Sequence, residues 1–334
     1  MNHQEILSDL KQKKLQPIYF LEGEETYFID KISDYIEDHL LEDHEKDFNQ
    51  TIFYGKDSDP NQIIETCKRF PMMSDKQVVI VKEAQHLIKV LDQFENYFKQ
   101  PQPSTILVFC YKYKTLDKRK AISKVIAKNS VYFTASKIKD YQLSAWIENQ
   151  VKSHQLRIEG RNASLLAEYL GNNLSKIENE LAKLAMILKP GGEISSHAIE
   201  EHIGISKDFN VFELQHAISS KNHEAAYKIA HYFGKNEKAH PFVLTLGFLF
   251  SYFSKVSVVA FSKNKGNDNA LAKEAGISPY FLKDYKLAAR HYSPTKLVKI
   301  VKYMKEYDLK SKGVNNTSAS HNDLLKELLF KILN

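Results

Sequence analysis

Gly23 stands where a chain could hold a phosphate. It follows a short apolar run, Ile18-Tyr19-Phe20-Leu21. A helical pattern comes next, with Phe28, Ile29, Ile32, Ile36 and Leu40 on one face. Strand, glycine turn and helix form the entrance of a nucleotide-binding fold. Its chemistry needs G-x-x-x-x-G-K-[S/T], so that backbone N–H groups cradle phosphate while Lys and Ser/Thr hold charge and magnesium. Here Glu24, Glu25, Thr26, Tyr27 and Phe28 follow the glycine, and Ile29 and Asp30 stand where Lys and Ser/Thr would be. Two carboxylates suit a helix N-terminus but repel a triphosphate.

A second requirement is an acidic residue at the end of a buried strand, to hold magnesium. Val78-Val79-Ile80-Val81 ends in Lys82-Glu83, and Ile106-Leu107-Val108-Phe109 ends in Cys110-Tyr111-Lys112; neither offers Asp-Glu. ATP hydrolysis is therefore not expected, and no cofactor is. Metal chemistry has no better support. The nearest histidine pairs, His39 with His44 and His197 with His202, are five apart and cannot share a helix face as i, i+4 ligands do. Cys67 and Cys110 are far apart and fit two reduced thiols. No G-x-S-x-G segment is present.

Two other groups of residues invite a function. Lys112, Lys114, Lys118, Arg119, Lys120, Lys124 and Lys128 could meet phosphates, although a solvated helix face is the favoured reading. Phe70-Pro71-Met72-Met73-Ser74-Asp75 joins a helix to a buried strand, where a connection should be polar. Adjacent methionines there either tuck under the sheet as ordinary core or stand out as adaptable apolar knobs for a partner's pocket.

The elements that would position these residues follow from the apolar pattern. Strands are expected at Ile18–Leu21, Asn49–Phe53, Gln77–Val81, Thr105–Cys110 and Ser130–Thr134. Helices are expected after Gly23, from the Ser58-Asp59-Pro60 cap to Pro71, over Ala84–Phe98 and over about Asp117–Lys128. Such alternation implies a parallel sheet covered on both faces. Beyond Lys139 helical periodicity takes over. A small helical unit runs to about Asp208, and the remainder is all-helical, with a strongly apolar helix around Val243–Phe250 and a final helix built on Leu324, Leu325, Leu328 and Ile332.

The chain's 334 residues predict two or three domains. No apolar run approaches the roughly 18 residues of a membrane span. Met1 to Lys14 is polar and lacks a signal-peptide core. A cytoplasmic protein with no membrane partner is expected. Charge is uneven: −8 over residues 1–50, but +6 over 101–150 and again over 251–300. Such asymmetry suits separate faces for separate partners.

Taken together, the chain resembles the delta subunit of the bacterial DNA polymerase III clamp loader. The resemblance lies in Pro17 to Glu25 as opening strand and Gly-Glu-Glu turn, and in Phe70 to Asp75 before the strand Gln77–Val81. It continues in Leu116-Asp117-Lys118-Arg119-Lys120, in Gly171-Asn172-Asn173-Leu174 with Ile177, Glu180, Leu181, Lys183 and Leu184, and in Asp308, Leu309, Lys310 and Gly313 before a Leu-rich final helix. No piece is specific alone; their order and spacing carry it.

The resemblance implies an AAA+-like α/β domain without a working nucleotide site (1–139), a helical lid (140–208) and a helical collar that assembles the loader (209–334). It implies a subunit that is no enzyme by itself and is linked to nucleotidyl transfer only through the holoenzyme. Such a subunit binds and opens the sliding clamp while partner subunits supply ATP. The implied partners are the clamp, the loader ATPase subunits, a delta-prime-type subunit and primer-template DNA within the complex. The implied clamp contact is Met72 and Met73, flanked by Phe70 and Pro71. Met-Met departs from the family's usual bulky pair, such as Leu-Phe, by lacking ring area. A helical DNA-binding protein, or another non-catalytic AAA+ scaffold, is the alternative.

Overall fold

A computed structural model gives the fold, described for residues 2–204, 209–316 and 318–334. The chain divides into two compact units, Met1–Ile138 and Lys139–Asn334. The expected lid–collar boundary at 208 lies outside the described residues.

The first unit begins with α1 (His3–Lys11), β1 (Ile18–Gly23), α2 (Thr26–His39), α3 (Asp43–Asn49) and β2 (Gln50–Tyr54). It continues with α4 (Pro60–Lys68), β3 (Gln77–Lys82), α5 (Glu95–Lys99), β4 (Thr105–Lys112), α6 (Ala121–Asn129) and β5 (Val131–Ala135). All five strands are parallel, in the order β2-β3-β4-β1-β5. Every residue of β1 is buried, as is nearly all of β3 and β4. That is why these strands read as continuous apolar runs instead of alternating ones. Phe20 of β1 stacks on Phe109 of β4 at 5.7 Å between ring centroids, in a core that also takes Phe94 and Phe98.

Three local features differ from the expected elements or add to them. Ala84–Phe98 is not one helix. It winds as two 3₁₀ turns, Ala84–Leu87 and Leu91–Phe94, before α5. Leu87, Leu91, Phe94 and Phe98 are all buried at helical spacing. The backbone, however, enters through a left-handed Glu83 (φ 54) and leaves the helical region at Val90 (φ −118). Second, the polar N-terminus contains α1, started by a capping box between Asn2 and Glu5. Third, the lysine-rich helix starts only at Ala121, because Asp117 and Arg119 form a turn in which Arg119 pairs with Asp117 at 2.8 Å.

The second unit opens with α7 (Asp140–Ser153), β6 (Arg157–Ile158), α8 (Gly160–Leu170), α9 (Leu174–Ile187), β7 (Glu193–Ile194) and α10 (Ser196–Ile203). There follow α11 (Val211–Ser219), α12 (His223–Lys235), α13 (Phe242–Phe261), α14 (Asp268–Ala275), α15 (Leu282–His291), α16 (Pro294–Ser311) and α17 (His321–Leu333). Central α13 packs against α14, α15 and α16. It is long and apolar enough, by length and composition, to cross a membrane. This corrects the expectation that no such segment exists; Thr245, Gly247, Ser251, Ser254 and Lys255 interrupt its run in the sequence. Its Phe242, Leu246, Leu249, Phe253 and Val256 are buried at helical spacing in the core of this unit.

Candidate functional site

The turn after β1 has the shape of a phosphate site, but its donors are committed to the protein. Gly23 N–H donates to the Lys114 carbonyl at 3.1 Å, and Glu25 N–H donates to the Ala135 carbonyl at 3.2 Å. Glu25 caps α2 by accepting from Tyr27 N–H. Gly23 itself is required by geometry. It sits at φ +135, and a Cβ would lie 2.1 Å from the Ala135 carbonyl oxygen.

The place of the phosphate-loop Lys and Ser/Thr is taken by an internal ion cluster. Asp30 on α2 meets Lys112 at the end of β4 at 2.7 Å, and Lys112 reaches Glu83 after β3 at 3.4 Å. Gln85 hydrogen-bonds Glu83 and accepts from Lys112 N–H. Burial opposes the Lys112 charge, but the hydrogen bond to Asp30 and the attraction of the Asp30 and Glu83 charges together outweigh it, so the ammonium is held above its ordinary value. Nearby, Lys82 pairs with Glu37 at 2.7 Å. Negative side chains already neutralised by resident lysines do not fit a nucleoside triphosphate with its metal. Lys112 thus leaves the lysine cluster to which the sequence assigned it. Lys118, Lys120, Lys124 and Lys128 stay exposed around α6. Among the described residues, no group of three or more His, Cys, Asp or Glu side chains converges as for a metal.

The segment between α4 and β3 is built differently. Asp59 caps α4 and Pro60 occupies its first turn; the helix stops at Lys68. The chain then runs outward: Phe70 is 79% exposed, Met72 61% and Met73 100%, while Pro71 is half-buried. The two methionines are therefore not core.

They are nonetheless held. Buried Asn49, the last residue of α3, accepts from Met72 N–H at 2.6 Å and donates to the Met72 carbonyl at 2.8 Å. On the α4 side, buried Gln77 donates to the Arg69 carbonyl at 2.6 Å and to Thr105. Ser74 closes a turn on Lys76. Between these clasps Met73 is left-handed at φ 53, a conformation that costs a non-glycine residue about 1 kcal/mol. A strained backbone carrying a fully exposed apolar side chain is what a preformed binding knob requires, because little ordering remains to be done on contact.

Sequence reasoning singled out the two methionines but missed the clasp that holds them. Asn49 lies 23 residues before Met72 in a polar stretch, and nothing local marks it.

Residues 19–136 match the family described as DNA polymerase III, delta subunit, and residues 208–330 match the C-terminal domain of the same subunit. The DNA polymerase III subunit delta of Bacillus subtilis is 24% identical over 97% of this chain and 94% of its own length. That of Buchnera aphidicola is 23% identical over 93% of this chain and 92% of its own. Among solved structures, the Bacillus subtilis DNA clamp loader delta protein superposes with a TM-score of 0.63 at 22% identity, covering 99% of both chains.

Proposed function

The chain belongs to the DNA polymerase III delta-subunit family, and from that premise we propose that it binds the sliding clamp through Met72 and Met73, with Phe70 and Pro71 beside them, and opens it for loading onto DNA. The observation that carries this reading is the pair of exposed methionines on a backbone pinned by Asn49. Two apolar side chains held in water gain about 1.5–3 kcal/mol each on full burial in a partner's pocket.

ATP is supplied by neighbouring subunits. The ion cluster of Asp30, Lys112 and Glu83 supports a subunit that keeps the nucleotide fold for its shape and is not itself an enzyme. Residues 140–208 act as the lid and 209–334 as the collar, through which the ATPase and delta-prime-type subunits assemble. Primer-template DNA is met within that complex, with exposed Lys118, Lys120, Lys124 and Lys128 as candidate phosphate contacts. The work is done in the cytoplasm.

Co-purification with the cognate clamp and the loader ATPase subunit tests the reading. Recovery of a ternary assembly supports it. A chain that binds DNA alone, with a steep salt dependence, and retains neither protein would favour the DNA-binding alternative.

A further inference from the structure

We propose that Phe48 is part of the same binding surface, an aromatic contact offered from α3 beside the methionine knob; the inference rests on the clamp-binding reading and deepens it. Phe48 is the penultimate residue of α3 and is 71% exposed. Its neighbour Asn49 turns inward and clasps Met72. Phe48 is thereby tied to Met72 through one peptide link, one short side chain and one hydrogen bond, a path of about 11 Å.

A single exposed ring is ordinary on a protein surface. Four large apolar side chains, Phe48, Phe70, Met72 and Met73, exposed on two segments that the Asn49 clasp ties together are not, and exposed apolar groups of this kind mark interaction sites. The chemistry of the four is complementary. Methionines adapt to an irregular pocket. A phenyl ring adds rigid area with little rotamer freedom to lose, the trait of residues that dominate binding energy.

The charge around the patch is mixed. Asp47 and Asp75 are exposed beside it, and so are Lys68 and Arg69, so charges of both signs border it. Glu45 is engaged locally: its carboxylate accepts from Glu42 N–H at 2.9 Å, and a hydrogen bond from the Ser74 side chain helps hold it below the ordinary glutamate range. The fitting partner is a cleft with an apolar floor and a rim of mixed charge, wide enough for two unbranched side chains and two rings. We assign that cleft to the sliding clamp.

The test titrates full-length protein against purified cognate clamp, using wild type, Phe48→Ala, and the double variant Met72→Ala/Met73→Ala. Unfolding midpoints are measured alongside and should stay unchanged for Phe48→Ala, because its ring is outside the core. The expected result is about tenfold weaker binding for Phe48→Ala, with Phe48→Trp restoring most of it, and weaker binding for the double variant. Wild-type affinity for Phe48→Ala with a weakened double variant overturns the role of Phe48 and leaves the clamp reading standing. Wild-type affinity for both overturns the clamp site itself. A loss for Phe48→Ala alone overturns the shared surface.

Discussion

Asn49 holds both the backbone N–H and the backbone carbonyl of Met72. The carboxamide oxygen takes the amide proton and the carboxamide nitrogen gives one to the carbonyl. The clasp joins residues 23 positions apart and makes the exposed methionines a fixed feature of the connection into β3 instead of a wandering loop. Replacing Asn49 by Ala removes the two part-buried hydrogen bonds to Met72 and a third to the Glu45 carbonyl, so a stability loss of about 1–3 kcal/mol is expected from urea unfolding. Clamp affinity should also fall, by about three- to tenfold, although both methionines remain, because the knob must now be ordered on contact. A stability loss with unchanged affinity would show that the clasp serves folding only.

Gly23→Ala tests why the turn keeps its glycine. A Cβ would stand 2.1 Å from the Ala135 carbonyl oxygen at a backbone angle that suits glycine alone. Unfolding should show a loss of at least about 3 kcal/mol. A neutral substitution would mean that β1 and β5 are not held together as described.

Lys112→Met keeps the volume of the stem and removes the charge between Asp30 and Glu83. The two carboxylates then face each other without their cation. The site is partly open to solvent, so the cost is about 1–3 kcal/mol, below that of a fully buried pair. Magnesium-ATP should not raise the wild-type unfolding midpoint. A shift of several degrees would contradict the internal neutralisation of this corner.

His240 gives a pH signature in the helical unit. Burial lowers its pKa, and its ring stacks on Phe233 at 4.2 Å. In the unfolded chain it titrates near about 6.5. Folding therefore favours the neutral ring. The stability it contributes is complete above about 6.5 and is lost as pH falls through the lower folded-state value. Acidification from about pH 7.5 to about 5.5 should lower the unfolding midpoint of the wild type more than that of His240→Phe. Parallel slopes would remove His240 as the cause.

What the sequence revealed and what it hid follow one physical division. β1, β3 and β4 were legible because burial on both faces leaves an unbroken apolar run. The start of α4 was legible because Asp59 and Pro60 satisfy its first turn locally. The oddity of Met72 and Met73 was visible as apolar residues in a connection. Their anchoring by Asn49 was not, nor was the pairing of Lys112 with Asp30. Both depend on elements distant in sequence that only the sheet order brings together. The 3₁₀ turns before α5 were hidden for the opposite reason: their buried residues keep an α-helical spacing while the backbone does not.

The most direct test of the clamp-binding account is a titration of the cognate sliding clamp with wild type and with Met72→Ala/Met73→Ala. Truncating two exposed anchors should weaken binding by about 2–4 kcal/mol, at least about 30-fold, with the unfolding midpoint unchanged. Equal affinity of the two proteins for the clamp would contradict it.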